Sequence, residues 1–336
     1  MLIYADACPE EEPWVRAALP DMEIAFTPCC VGGGSVPEQA EQATVLSVFI
    51  GSSVDRELLE RMPRLKLVAA RSTGVDHIDR AACAELGIAV ANVPSYGERT
   101  VAEHAFALIL ALSRKLCLAR ARTARLDFER AGLRGFDLYG KTLGVVGTGN
   151  IGCNAIRMGR GFGMRVIAYD VRPTRDALTE GFHYVDSLDT LLAQSDVISL
   201  HVPHLPSTHH LINTENVRRI KRGALLINTA RGPVVDTEVL LWALEEGILG
   251  GAGLDVLEQE AVTFTAGRTL PNGLPEGLDA PTVLRNHLLA ARDDVMLTAH
   301  NAYNSIEAFR SIVDISAANV AAFLAGRPIN LVETRA

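Results

Sequence analysis

The sequence predicts an α/β protein of two doubly wound parallel-sheet domains, one inserted into the other. Three observations lead there. Short runs rich in Val, Ile and Leu alternate with helical segments along nearly the whole chain, the succession that right-handed βαβ crossovers turn into parallel sheets. A glycine-punctuated turn from strand to helix, Gly147-x-Gly149-x-x-Gly152, stands near the middle. The length, 336 residues, exceeds the size at which a single core stops growing.

Taken in order, residues 2–5, 23–26, 44–50, 66–70 and 88–92 read as strands, and residues 10–19, 55–61 and 79–86 as helices. Gly32-Gly33-Gly34 marks a loop. A long helix over 98–118 follows, apolar enough to lie between two domains, then a charged amphipathic segment over 119–130 and a glycine-rich loop. Strands at 143–147, 165–169, 196–200, 224–228 and 252–256 alternate with helices, one of them delimited by Asp236 as N-cap and Gly247 at its end. A last strand, 295–298, runs to His300, and an apolar-periodic helix over 305–324 precedes the tail. The helix beginning near Glu98 and the turn after His300 are the expected crossings. Residues 1–97 with 303–336 then form one discontinuous domain and residues 98–302 the other.

Composition narrows the function. The chain is 48% hydrophobic and 21% charged, as ordinary globular proteins are. Its net charge of −8 and lack of a basic run argue against nucleic acid or an anionic membrane as partner. An anionic substrate would have to be attracted locally, by particular arginines. The N-terminus has no signal-peptide pattern and no apolar window is long enough to span a bilayer, so a cytoplasmic protein is expected. The cysteines at 8, 29, 30, 83, 117 and 153 have no metal-ligand spacing, and reduced thiols are the plain reading. His209-His210 lack a further ligand at suitable spacing, so no metal is expected.

The central turn carries a specific chemistry. Gly147 makes the tight exit from the strand, Gly149 lets a pyrophosphate approach the backbone, and Gly152 lets the helix pack on the strand. The helix N-terminus then offers amides and a positive dipole end to the phosphates. Asp170 ends the next strand, where a carboxylate can hold both ribose hydroxyls of NAD and repel a 2′-phosphate; Arg172, two residues on, is the one feature tolerant of NADP.

Three more residues fall at C-terminal strand ends, where doubly wound sheets bind ligands: Arg231, Glu260 and His300. Oxidising a 2-hydroxy acid removes a hydroxyl proton while hydride leaves carbon, and a histidine suits that proton transfer near neutral pH. A carboxylate on the imidazole would fix its tautomer and favour the protonated ring that donates to a 2-keto acid. An arginine can clamp a carboxylate or polarise a carbonyl with paired donors.

At this point the chain resembles the D-isomer-specific 2-hydroxyacid dehydrogenases over nearly its whole length. The matching stretches are Arg71-Ser-Thr-Gly-Val-Asp-His-Ile-Asp79, Asn92-Val-Pro-Ser-Tyr-Gly-Glu-Arg-Thr-Val-Ala-Glu-His104 and the run from Gly135 through Gly152. Leu200-His-Val-Pro203, Ile227-Asn-Thr-Ala-Arg-Gly232 and Gly250-Gly-Ala-Gly-Leu-Asp-Val-Leu-Glu-Gln-Glu260 continue the series. The resemblance implies a Rossmann NAD-binding domain inserted into a smaller flavodoxin-like substrate domain. It implies His300 as acid–base, Glu260 as its partner and Arg231 as the substrate-orienting residue. Ser72, Thr73 and Gly74 would present amides to the substrate carboxylate, with Tyr96 near the substrate's side chain. Implied NAD contacts, beyond the glycines of the turn, are Thr100, Asn150, Ile151, Asp170, Val202, Pro203, Thr208, Thr229, Ala230, Arg231, Asp255 and His300, with Asp255 at the nicotinamide amide. A homodimer, closing its domains over the substrate, is implied as well.

Two departures stand out. Ala299 occupies the place before the catalytic His where the family commonly has Pro, and residues 261–292 form a long excursion between Glu260 and His300. That length, with Val-Pro-x-Tyr96, is closer to the D-lactate dehydrogenase branch, and so long a loop reads equally as a pocket or subunit contact and as a surface insertion. Tyr96 and the loop suit an organic side chain better than the inorganic anion of a phosphite dehydrogenase. Glu260 disfavours formate dehydrogenase, which is expected to carry Gln there. An NAD(H)-sensing corepressor is the reading of another class; the extended tail of those proteins has no counterpart here. His104 and Glu103 read as packing residues, and Arg71 as a second carboxylate contact or a salt-bridge partner within the small domain.

Overall fold

The computed structural model describes residues 1–173, 181–264 and 278–333. Two units emerge from it, Met1–Tyr96 with Ser305–Ala336, and Gly97–Asn304.

In the first unit the strands are β1 (Leu2–Tyr4), β2 (Ile24–Phe26), β3 (Val45–Val48), β4 (Leu67–Ala70) and β5 (Ala89–Ala91). They form one parallel sheet in the order β2-β1-β3-β4-β5, the flavodoxin-like order. Every residue of β1, β3 and β4 is buried, as expected of parallel strands covered on both faces. The period-2 alternation decides which face each side chain serves. Leu2, Tyr4, Val45 and Leu67 pack with Val15 of α1 (Glu12–Ala18) and with Val313, Ala317 and Val320 of α11 (Ile306–Leu324). Ile3, Leu46 and Val68 face the other way, against Leu58 and Leu59 of α2 (Arg56–Glu60) and Ala82 and Cys83 of α3 (Arg80–Glu85). Asp55, Asp79 and Ser305 cap α2, α3 and α11, accepting from the amides of Leu58 (2.9 Å), Ala82 (2.8 Å) and Ala308 (3.1 Å).

Arg71, which follows β4, is 1% exposed. Its guanidinium donates to Ser47 Oγ (3.1 Å) and to the carbonyls of Ala5 (2.6 Å) and Asp6 (3.1 Å), lies 3.6 Å from Glu11 Oε1, and stacks on the Tyr4 ring at 3.9 Å. Of the two sequence readings, the interior salt bridge is the one seen.

The second unit opens with α4 (Glu98–Ser113) and α5 (Leu116–Thr123). Its seven strands are β6 (Thr142–Val146), β7 (Arg165–Tyr169), β8 (His183–Tyr184), β9 (Val197–Leu200), β10 (Ala224–Asn228), β11 (Leu249–Leu254) and β12 (Val295–Leu297). They run parallel in the order β12-β11-β10-β9-β6-β7-β8. The order reverses at β6 and β9, and that is where a doubly wound sheet opens its ligand crevice. On one face α4 and α6 (Asn150–Gly161) cover β6 and β7, with Phe106, Ile109, Ala155 and Ile156 against Leu143, Val145 and Val166. The other face is packed by α7 (Leu188–Gln194), α8 (Thr237–Glu245) and α10 (Ala280–Ala290). Asp236 caps α8 by accepting from Glu238 N (3.0 Å) and Val239 N (3.3 Å), and Gly247 sits beyond it at φ 63°.

Three expectations need correction. The long helix over 98–118 stops at Ser113, because Lys115 turns left-handed (φ 51°) and the Ser113 carbonyl accepts from Phe136 N (2.9 Å). Gly135 permits that approach, since a Cβ there would lie 2.1 Å from the Ser113 oxygen. The amphipathic segment over 119–130 is helical only to Thr123, within α5, and buries none of that helix's residues. The excursion over 261–292 is not one loop. It holds the end of α9 (Glu260–Thr263) and α10, while residues 265–277 lie outside the described part. No described helix is long and apolar enough to cross a membrane.

Candidate active site

The glycine turn follows β6 at the point where the strand order reverses. Gly147 takes φ 91°, and a Cβ there would sit 2.6 Å from the His201 carbonyl oxygen and 2.9 Å from Val202. At Gly152 a Cβ would come within 2.0 Å of the Gly147 oxygen, so the first turn of α6 rests directly on the strand exit. Gly149 differs: a Cβ there would meet nothing within 4 Å. The open space lies at the N-terminus of α6, where Gly149 is the N-cap and no side chain caps the helix. Uncapped amides and a positive dipole end facing open space are what a pyrophosphate needs.

Asp170, at the end of β7, accepts from Thr148 N (2.7 Å), Thr148 Oγ1 (2.9 Å) and Arg172 N (2.8 Å). Asn150 donates to Glu98 Oε1 at 2.6 Å, and Ile151 and Thr100 are half-buried. After β9, Val202 abuts the glycine turn, and Thr208 Oγ1 closes its loop by donating to Pro203 O (2.7 Å) and accepting from Leu205 N (2.8 Å). His201 contacts Ser199 Oγ through Nε2 (2.9 Å), its Nδ1 is buried with no partner among the described residues, and burial pushes its pKa down to about 4. His210 engages Glu258 Oε1 at 2.8 Å and stacks on His209.

The ends of β10, β11 and β12 bring the remaining residues together, since these strands are neighbours. Thr229 is 8% exposed, and its Oγ1 is buried with no hydrogen-bond partner among the described residues. Such an orphan at a strand end is a place for a polar ligand. Ala230 N is held by Asn228 Oδ1 (3.0 Å), and Arg231 Nη1 donates to Ala230 O (2.7 Å). A Cβ at Gly232 would come within 2.0 Å of the Leu257 backbone, so the Arg231 turn sits against the turn that carries Glu260.

Glu260 and His300 meet: Glu260 Oε1 is 2.7 Å from His300 Nδ1, and Glu260 Oε2 accepts from Leu257 N (3.1 Å). An ionised carboxylate only accepts, so the proton of this pair sits on Nδ1 and Nε2 is left for chemistry. Both side chains keep partial access to solvent, 25% for His300 and 30% for Glu260.

Asp255, the residue implied at the nicotinamide amide, organises the turn after β12. It is 1% exposed, and its carboxylate accepts from Thr298 Oγ1, Asn301 N (2.8 Å) and Ala302 N (2.8 Å). His104 Nε2 lies 3.0 Å from Thr298 Oγ1. Because Thr298 gives its proton to the carboxylate, His104 is the donor to Thr298. The sequence reading missed this link; nothing in local spacing joins α4 to the residue two before His300.

In the first unit, Ser72, Thr73 and Gly74 form the loop after β4 and Arg71. Ser72 Oγ donates to Gly74 O (2.6 Å) and Thr73 Oγ1 to Val93 O (2.8 Å), so the hydroxyls shape the loop. Tyr96 is half-buried at the end of this unit's first segment.

Comparison with known proteins agrees with this construction. A family model described as the NAD-binding domain of D-isomer-specific 2-hydroxyacid dehydrogenases matches residues 106–302. The D-lactate dehydrogenase of Escherichia coli strain K12 is 36% identical over 283 residues, covering 84% of this chain and 83% of that one. A glyoxylate reductase of Korarchaeum cryptofilum is 38% identical over 301 residues, covering 88% and 84%. Among solved structures, the D-lactate dehydrogenase from Aquifex aeolicus complexed with NAD and lactic acid superposes with a TM-score of 0.86 at 39% identity, covering 97% of this chain and 96% of that one. The bare helix N-terminus beside Gly149 and the unpartnered Thr229 hydroxyl fit NAD as cofactor. The chain belongs to the D-isomer-specific 2-hydroxyacid dehydrogenases, NAD-dependent oxidoreductases that act on CH–OH groups.

Proposed function

We propose that this enzyme reduces a small, unphosphorylated 2-keto acid, of the size of pyruvate or glyoxylate, to the D-2-hydroxy acid, with His300 as acid–base. The observation that carries the reading is the 2.7 Å contact of His300 Nδ1 with Glu260, which leaves Nε2 to donate. NADH, when bound, supplies the hydride. Around it, Gly149 and the amides opening α6 accommodate the pyrophosphate, Asp170 takes the adenosine ribose, and Thr229 and the Val202–Pro203 backbone line the nicotinamide end. Arg231 offers paired donors to the substrate's carboxylate and carbonyl, and within the first unit the amides of Ser72, Thr73 and Gly74 and the Tyr96 ring are the groups suited to contact a small acid. His300 Nε2 gives its proton to the carbonyl oxygen as the alcohol forms, and Glu260 stabilises the ring while it is charged.

The small-acid assignment draws on relatives named D-lactate dehydrogenase, glyoxylate reductase and glycerate dehydrogenase. It also draws on Arg71, which lies buried in its own unit and adds no cation for a substrate phosphate. The unit split at Tyr96 and Ser305 supports a separate substrate-binding domain. Exposed Leu116, Leu126, Phe128 and Tyr139, clustered in sequence, support a homodimer. A cytoplasmic location goes with the same proposal.

His300→Gln tests the mechanism. The variant is expected to bind NADH as the parent does while kcat falls by about two to four orders of magnitude, the usual worth of a positioned acid–base. Unchanged turnover would contradict it.

A further inference from the structure

Asp170 is held by more than its own strand. Oδ2 accepts from both the amide (2.7 Å) and the hydroxyl (2.9 Å) of Thr148, and Oδ1 accepts from Arg172 N (2.8 Å). Behind Thr148 stands Tyr184, whose hydroxyl lies 2.8 Å from Thr148 Oγ1. Tyr184 ends β8, paired with Ala168 of β7, and its ring packs edge-on to Phe182 at 5.3 Å. Thr148 is 4% exposed, so water does not compete for its hydroxyl.

The charge at the end of this chain fixes its direction. A carboxylate has no proton to give, so Thr148 donates to Asp170 and Tyr184 donates to Thr148. A hydroxyl that receives one bond while giving another is a stronger donor than an isolated one. With two donors already on Oδ2 and one on Oδ1, the carboxylate is fixed in plane, and Oδ1 keeps the lone pair that a ribose hydroxyl can use.

We propose that Thr148 and Tyr184 are positioning residues for cofactor choice. They pin the Asp170 carboxylate in the orientation that accepts a ribose hydroxyl of NAD, and they deny it the rotation by which it would make room for the 2′-phosphate of NADP. The inference rests on the reading that Asp170 meets the adenosine ribose. Thr148 thereby has a task beyond the glycine turn in which it sits, and a two-residue edge strand gains a role in recognition.

Dissociation constants for NADH and NADPH, measured by calorimetry on the full-length enzyme without substrate, test the proposal in four variants. Both cofactors are titrated into one preparation, so loss of folded protein cancels in their ratio. Thr148→Val is expected to shift the ratio toward NADPH by about tenfold, the scale of a hydrogen bond to a charged group. Tyr184→Phe, which keeps the threonine hydroxyl, should shift it by about threefold, and Thr148→Ser, which restores the donor, should stay near the parent. Asp170→Ala separates the layers. If it shifts the ratio while Thr148→Val and Tyr184→Phe do not, the positioning role is overturned and the ribose reading stands. If Asp170→Ala leaves the ratio unmoved, both fall.

Discussion

His300 adopts the left-handed region at φ 48°, a conformation that costs a non-glycine residue about 1–3 kcal/mol unless its surroundings impose it. Here they do. Its amide donates to Asp255 O (2.8 Å), and the Asp255 carboxylate gathers the amides of Asn301 and Ala302 and the hydroxyl of Thr298. The turn after β12 is built around one buried carboxylate, which aims the imidazole at Glu260. His201 is a different case. Burial holds its pKa near about 4, below the ordinary value of 6.5, so the folded ring stays neutral where the unfolded chain takes up a proton. The stability this contributes is present above pH 6.5 and is lost as pH falls toward 4. Urea midpoints at about pH 7.5 and about pH 5 should therefore drop further for the parent than for His201→Gln. Parallel drops would contradict the assignment. The sequence singled out Arg231, Glu260 and His300 because each follows a strand, and the structure brings the last two within 2.7 Å. Thr298, His104, Thr148 and Tyr184 were not legible in this way, because their partners lie on other elements and leave no periodic mark.

Among the elements, the glycine turn separates packing from binding within one motif. A methyl at Gly152 meets the Gly147 oxygen at 2.0 Å, whereas a methyl at Gly149 meets nothing within 4 Å and Gly149 has φ −67°, a value any residue adopts. Gly152→Ala should then lower stability by about 1–3 kcal/mol, as overpacking does, and lower the thermal midpoint. Gly149→Ala should melt like the parent yet bind NADH poorly, because its methyl occupies the space the pyrophosphate needs. Thermal melts followed by circular dichroism, with NADH fluorescence as the binding readout, check both; a Gly149→Ala enzyme with parental NADH affinity would contradict the placement of the phosphates. Elements were legible where burial on both sides makes a strand an unbroken apolar run, as in β1 and β4. The break after α4 was hidden because it depends on the backbone of Gly135 and Phe136 returning to the Ser113 carbonyl, a contact made across sequence. At two residues, β8 is too short for any period to register.

For the whole molecule, the sheet orders carry the functional argument. In the second unit the parallel order with its reversal at β6 and β9 puts the glycine turn and the strand ends at one edge of the nucleotide fold, and the first unit separately has the flavodoxin-like order. This much follows from alternating strands and helices with right-handed crossovers, and the glycine motif locates the crevice. The chain as a whole is acidic, with a net charge of −8, so long-range attraction does not deliver an anionic substrate; under the proposed function, capture falls to short-range donors such as Arg231. The same proposal makes side-chain volume the basis of selectivity among acids, and no motif in the sequence reports it. The most direct test follows NADH loss with a panel of 2-keto acids of increasing side-chain size, from glyoxylate through pyruvate to 4-methyl-2-oxopentanoate, with chiral analysis of the product and a parallel arm of phosphite with NAD. The account predicts fastest turnover with the smallest acids and a D-configured product. NADH loss no faster than without acid, an L-configured product, or faster turnover with phosphite would contradict it.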